Sequence, residues 1–344
     1  MPLHASTFHR SGFTQSSAIP LLFATCGIAS AMIFPTAALS QESAASYPSK
    51  PVSIIAPFAA GGPNDKEVRL EGDKMAQLLG QPFLIDFRTG AGGTIATQYV
   101  AKARPDGYTL LLNVGSFTTN PALFKNLPFD TLKDFAPIVW MSRKPFIFVV
   151  RPGFAVHSMS EYISHAKANP GKVNWGTSGV GSLQHLVGAW LHGLTNTKAT
   201  FIPYKGTAPI LLDLTAGRLD IAPMSMAAAL PLVRSGKMRT IGISDDKRSP
   251  SLPDVPTVAE QGIAGYTFTT WLGYSAPSAI SPAILAKLNE NFVKAVRSPE
   301  IATALEADGA IPVGSTPAQY RQLIISEIDR WKKIVQENGI KLDD

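Results

Sequence analysis

From Tyr47 onward, short apolar runs alternate with amphipathic stretches, and that alternation sets the reading of the chain. Val52-Ser53-Ile54-Ile55-Ala56 reads as a buried strand, followed by a loop over 57–64 and a helix over about 65–79 that Gly80 ends as a left-handed stop. A second strand is predicted over 83–87. Gly90-Ala91-Gly92-Gly93 then leads into a helix ending at Lys102, and Pro105-Asp106-Gly107 turns the chain into a third strand over 108–113. Strand, helix, strand, helix, strand at this spacing predicts βαβ units and a parallel sheet.

The pattern restarts past a strand at 146–151. Helix 160–169, strand 173–176, helix 182–194, strand 200–202 and helix 207–216 follow, then strand 221–224, a helix to about Ser235 and strand 239–243. Residues 249–265, rich in Pro and Gly, read as an irregular connection; 271–276 reads as a strand, and helices over about 282–297 and 317–337 end the chain. The expected architecture is therefore α/β with two lobes, each a mixed, mostly parallel sheet flanked by helices. The first lobe is discontinuous, 47–147 with 271–344, and the second is 148–270. The C-terminal helices are expected to pack back on the first lobe, with crossings at 146–151 and 271–276 as the hinge. No tandem repeat is visible.

A length of 344 residues favours two domains over one core. With 45% apolar and 16% charged residues the chain is neither disordered nor collagen-like nor a coiled coil. The net charge of +6 is spread along the sequence without a run of like charges, which argues against a nucleic-acid arm. Residues 1–40 read as an export signal: His4, His9 and Arg10 precede an uncharged, mostly apolar stretch over 18–34, and Ala38-Leu39-Ser40 offers a cleavage site near Ser40. An uncleaved membrane anchor is the alternative. Cys26, the single cysteine, lies inside that stretch without the Leu a lipoprotein signal would place before it, and its removal leaves no disulfide and no thiolate metal site. A soluble, monomeric protein exported from the cytoplasm is expected.

In open parallel sheets ligands bind outside the carboxyl ends of the strands. The loop after the first strand holds Phe58, Ala60, Gly61, Gly62 and Asn64, and its glycines let the backbone approach a ligand at a helix N-terminus, where free N–H groups suit an anion. Asn64 or Asp65 either caps that helix or touches the ligand, with capping preferred. The loop with Thr177, Ser178, Gly181 and Ser182 is a second candidate cradle, with a plain glycine turn capped by Ser182 as its alternative. Ser116, Lys205, Gly206 and Ser225 lie at further strand ends, and His185 follows the second cradle.

Enzyme motifs are missing: there is no Walker A sequence, no complete dinucleotide fingerprint and no nucleophile elbow. His157, His165, His185 and His192 read as surface or satisfied histidines, and Asp245-Asp246 as a solvated turn. Phe146, Phe148, Trp271 and Tyr274 read as core or hinge packing. No cofactor and no metal is expected. The rival reading is an exported hydrolase pairing Ser178 or Ser182 with His185; a sensory ligand-binding subunit is a third.

Several stretches in order, among them Pro57-Phe58-Ala59-Ala60-Gly61-Gly62, Gly90-Ala91-Gly92-Gly93, Pro105-Asp106-Gly107-Tyr108, Pro203-Tyr204-Lys205-Gly206 and Leu252-Pro253-Asp254-Val255-Pro256-Thr257, resemble the Bug family of periplasmic substrate-binding proteins. That resemblance implies a two-lobed type II periplasmic binding fold that closes on a carboxylate-bearing metabolite and docks on a membrane transporter pair or a sensor kinase. It implies that a carboxylate is held at the loop over 58–64 and the loop over 178–182. Where the family has a third glycine and Thr, this chain has Pro63-Asn64, and Pro63 lacks the backbone donor.

Overall fold

The computed structural model describes residues 43–61 and 64–340, so the predicted signal over 1–40, Gly62 and Pro63 lie outside the described residues. Strands β1 (Val52–Ala56), β2 (Phe83–Phe87) and β3 (Thr109–Asn113) run parallel in the order β2-β1-β3. Val52, Ile54 and Ala56 face one side and Ile55 the other, all buried, which is why this strand reads as a continuous apolar run. Helix α1 (Asp65–Leu79) buries Val68 and Met75 and stops at Gly80, whose φ of 74° takes the left-handed conformation predicted for it. Helix α2 (Thr94–Ala101) covers the opposite face through Ala96 and Val100, and α3 (Ser116–Leu123) follows β3.

Strand β4 (Phe135–Val150) is the pivot of the sheet. Its first part, residues 135–145, pairs antiparallel with β9 (Thr269–Pro277), which in turn pairs with β3. From Phe146 on it pairs antiparallel with β7 (Ile221–Ser225) and β8 (Arg239–Ile243). Beyond β7 lie β5 (Asn174–Thr177) and β6 (Thr200–Pro203), parallel to each other, giving the order β2-β1-β3-β9-β4-β7-β5-β6. The sheet is thus mixed, with one parallel group in each half. Helices α4 (Met159–Ala168), α5 (Leu183–Thr195), α6 (Thr207–Thr215) and α7 (Met226–Arg234) flank the second half.

Several elements depart from the sequence expectation. β4 begins at Phe135 rather than 146: Pro137, Pro145 and the polar run Ser142-Arg143-Lys144 interrupt its apolar pattern, and two register shifts against β9 accommodate them. Helix α3 stands where the sequence predicts a loop, because Thr118, Thr119, Asn120 and Pro121 are weak helix formers. A helix α9 (Pro299–Ala307) and a two-residue strand β10 (Ile311–Pro312) stand between α8 (Pro282–Val296) and α10 (Pro317–Glu337). α8 packs on the first sheet half, as expected for a C-terminal helix, but α10 does not stay there. Its Tyr320, Ile324 and Ile328 sit with Phe117, Phe135 and Trp271, whereas Trp331 and Ile334 sit with Trp175, Leu186 and Tyr266 of the second half.

Candidate functional site

Five strand-to-helix transitions bring residues to two adjoining cavities of about 550 and 160 Å³. Asn64 opens α1, Gly115 and Ser116 open α3, Ser182 opens α5, Thr207 opens α6, and Ser225 opens α7. The first N–H groups of a helix have no partner within it and carry a partial positive charge. Ser182 is a true cap, its Oγ accepting the His185 N–H. α6 and α7 have no side-chain cap, so their leading N–H groups are left to the cavity side; α3 has none either, but its Phe117 and Thr118 N–H groups bond the Val114 and Gly115 carbonyls. The larger cavity is lined by Ser116, Thr119, Asn120, Ser178, Gly181 and Ser182 together with apolar Val114, Leu123 and Val180, and no charged side chain lines it among the described residues.

The smaller cavity carries charge. Lys144 and Asp308 both line it, with Thr207, Ser225 and Met226; Asn64, Phe146, Gln184 and Thr270 line both cavities. Lys144 donates to Asn64 Oδ1 over 3.0 Å and is ion-paired to Glu67, which also accepts from Ser142 Oγ. Glu67 lies in the first turn of α1, where the helix dipole favours a carboxylate. One turn on, the buried carboxyl of Glu71 accepts from Tyr274 OH over 2.6 Å and is pushed well above the usual carboxylate range by burial and by the neighbouring Glu67 charge.

The expected residues divide by place. Asn64, Ser116, Ser178, Gly181, Ser182 and Ser225 line the two cavities. Phe58 does not: it packs at a tilt against Phe87, with ring centres 6.2 Å apart, at the edge of the first core. Ala60 and Gly61 are exposed, and the Gly61 N–H is taken by Asp65 Oδ2 over 2.8 Å. Neither Asn64 nor Asp65 caps α1 with its side chain. Thr177 is buried in β5, Lys205 is exposed, and Gly206 is the residue before α6, at φ 94°. His185 stands behind the second cradle and supports it: its Nδ1 accepts the Gly181 N–H over 3.1 Å. Burial lowers the His185 pKa, which favours the neutral ring. Ser178 Oγ donates to Gln184 Oε1 over 2.8 Å and Ser182 Oγ accepts the His185 backbone N–H, so neither hydroxyl is bonded to the His185 imidazole as a nucleophile–base pair would require.

Lys144, Gln184, Asn120 and Thr270 are site residues that the sequence reading does not reach. Phe146, expected as packing, does contact Phe268 edge-on at 5.7 Å but also forms a wall of both cavities. Asp245, expected as solvated, is buried and accepts from Arg143 over 2.9 Å. A wider groove of about 770 Å³ between α2 and β1 is lined by Lys50, Arg88, Tyr99, Lys102 and Arg104, but it is fed by no helix N-terminus, and the strand-end cavities are the better site. Among the described residues no His, Cys, Asp and Glu group has metal-binding geometry, and no helix is long and apolar enough to cross a membrane.

The model of the "Tripartite tricarboxylate transporter family receptor" matches residues 68–340. Protein BugT of Bordetella pertussis is 35% identical over 326 residues, covering 94% of this chain and 97% of its own. Among solved structures, an R. palustris protein with adipate is 33% identical at a TM-score of 0.78, covering 86% of this chain and 99% of its own. MatC of Rhodopseudomonas palustris, with bound malate, is 34% identical at a TM-score of 0.74, covering 84% of this chain and 100% of its own.

Proposed function

This chain belongs to the tripartite tricarboxylate transporter family of receptors, and from that premise we propose that it captures a small carboxylate in the periplasm and delivers it to a membrane transporter of that type. It is a substrate-binding protein and not an enzyme. In this reading residues 1–40 direct export, and the two sheet halves are the lobes, 47–147 with 271–344 and 148–270. The ligand lies between them, since the cavities take Asn64, Ser116 and Lys144 from one half and Ser178, Ser182 and Ser225 from the other.

One observation carries the proposal: the N-termini of α3 and α5, one from each half, meet at the larger cavity, which holds no charged side chain among the described residues, and the uncapped N-termini of α6 and α7 meet at the adjoining one. Such a site takes an anion through neutral donors, and charge-assisted hydrogen bonds to it contribute roughly 1.5–3 kcal/mol each. That adipate and malate occupy two related structures supports the same ligand class here. Three or four such bonds, less the cost of closure, support an affinity near the micromolar range, about −8 kcal/mol.

The test is a thermal-shift and calorimetric screen of residues 41–344, refolded to remove carried ligand, against mono-, di- and tricarboxylates, aromatic acids and acidic amino acids. Selective binding of one chemical group is expected, with a rise in Tm of a few degrees once ligand reaches about 100 times Kd. Binding of none of these acids overturns the reading. Delivery is tested separately: uptake of the bound acid by cells lacking this chain is expected to fall, and unchanged uptake removes the transport role while leaving the binding role.

A further inference from the structure

We propose that the groove between α2 and β1 is a docking surface for an acidic, extended segment of a partner protein. It shares no lining residue with the strand-end cavities, so it is a separate surface and does not depend on which small ligand they hold. Its apolar floor follows from the register of the sheet. Ser53 of β1 stands beside Leu84 of β2 and Thr109 of β3, and side chains level with one another in a sheet share a face. Ser53 and Thr109 line the groove, so Leu84 lies on the same side. There Leu84 is 54% exposed, and Ile95 and Tyr99, one turn apart on α2, are 50% and 42% exposed. β2 is also the end strand of the sheet. Bare apolar side chains beside an end strand suit a chain laid along them.

The rim supplies the charge that selects the occupant. Lys50, Arg88, Lys102 and Arg104 stand around the groove against one lining carboxylate, Asp106, which accepts the Tyr108 N–H. The Arg88 Nε–H is taken by Asp86 at 2.9 Å and its guanidinium lies over the Tyr99 ring, which leaves its terminal N–H groups to the groove. Lys50, Lys102 and Arg104 have no carboxylate partner among the described residues. Lys102 ends α2, where the helix dipole alone favours a cation, but Lys50 and Arg104 lie outside the helix and the dipole does not account for them. Exposed ion pairs are weak singly, so the occupant must meet several cations and the apolar floor together.

Spacing favours a chain over a lipid surface. Tyr99 lies four residues and Lys102 seven residues past Ile95, about 6 and 10 Å along α2. An extended chain turns every second side chain to one face, about 6.6 Å apart. An apolar residue over Ile95 therefore sets the side chains two and four positions away beside Arg88 and beside Lys102 and Arg104. A bilayer would gain from the charge but not from this order of apolar and acidic positions.

Fluorescence anisotropy tests it with a labelled peptide that carries a leucine and glutamates two and four positions on, and with the same order reversed, since a chain can lie either way. The wild-type protein is expected to bind one of the two at least about tenfold tighter than its glutamine counterpart, and less tightly as salt screens the contact. Lys50→Glu/Lys102→Glu/Arg104→Glu is expected to lose about tenfold for the glutamate peptide and to gain binding of a peptide with lysines in place of the glutamates. Ile95→Ser is expected to weaken the glutamate peptide about threefold. These side chains are exposed and lie outside the strand-end cavities, so the triple variant is expected to keep the wild-type Tm and carboxylate affinity. No binding of either glutamate peptide, or binding that ignores the glutamine change or the charge reversal, overturns the proposal. So does tighter binding to phosphatidylglycerol vesicles than to either peptide, which would assign the groove to lipid, or self-association that the charge reversal abolishes, which would assign it to a second copy of this chain.

Discussion

At the scale of single residues, His185 shows how a position near a site differs from a position in it. Its ring accepts the Gly181 N–H and meets Phe201 edge-on at 4.9 Å, so it fixes the loop that presents Ser178 and Ser182. Gly179 and Gly181 hold φ of 127° and 74°, a path that other residues rarely take, and the imidazole anchors its far end. Losing that acceptor leaves a half-buried N–H unpaired, a cost of about 1 kcal/mol or more. His185→Leu is therefore expected to weaken acid binding about fivefold, and His185→Asn, whose Oδ1 can accept the same N–H, to stay within about twofold of wild type. Equal affinities in all three, by calorimetry, would remove the positioning role. Proximity of His185 to the cradle is legible in the sequence because it lies three positions after Ser182. Lys144 is not legible, since Ser142-Arg143-Lys144-Pro145 reads as a polar break, and only the pairing with β9 and the approach of α1 bring its ammonium to Glu67 and Asn64.

Among the elements, α5 carries a second histidine with a different task. His192 is buried among Trp175, Tyr162 and Phe201; its Nδ1 lies 2.6 Å from Thr197 Oγ1 and its Nε2 lies 3.2 Å from Tyr162 OH. Burial lowers its pKa to about 4, so the folded chain takes up that proton less readily than the unfolded chain, whose histidine titrates near 6.5. The stability this gives is fully present above pH 6.5 and is lost as pH falls toward 4, about 1.4 kcal/mol per unit and roughly 3 kcal/mol in all. Asp245 acts in the opposite sense: burial first, then the bond with Asp246, raises it to about 6, so its contribution is present below pH 4 and is lost as pH rises to 6. The two windows overlap, and the slope of the wild-type curve does not isolate either group. The difference between wild type and His192→Gln does. Urea unfolding from pH 7 to 4.5 is expected to show the variant losing less stability than wild type, by up to about one proton's worth, and parallel curves would mean that His192 takes up its proton as readily in the fold as in the unfolded chain. The elements themselves are legible wherever one face is apolar, as in α1, α5 and β1. α3 and the first part of β4 are not, because their polar and proline-bearing sequences depend on tertiary partners for their conformation.

For the molecule as a whole, the periodicity restart past residue 146 separates two α/β groups in the sequence, but it does not show how firmly they are joined. β4 runs through both sheet halves and α10 packs on both, with Trp331 1% exposed and its Nε1–H donating to Glu327 Oε2 over 3.0 Å. Truncating such a tryptophan typically costs about 3–5 kcal/mol. In wild type the halves are expected to unfold together, with coincident transitions by far-UV circular dichroism and by fluorescence, which reports from Trp175 and Trp190 in the second half and Trp140 and Trp271 in the first. Trp331→Ala weakens the contact of α10 with the second half, leaving Ile334 there, while Tyr320 and Ile324 keep its hold on the first. The second half is then expected to unfold at lower urea, splitting the fluorescence and dichroism curves. A carboxylate bound between the halves touches both, and at about 100 times Kd it stabilises the joined state by about 2.7 kcal/mol, close to what the substitution removes. Saturating ligand is therefore expected to bring the two curves of Trp331→Ala back toward one. If ligand raised only one of the two midpoints, the acid would be bound within a single half, and closure of the halves on it would no longer describe this protein.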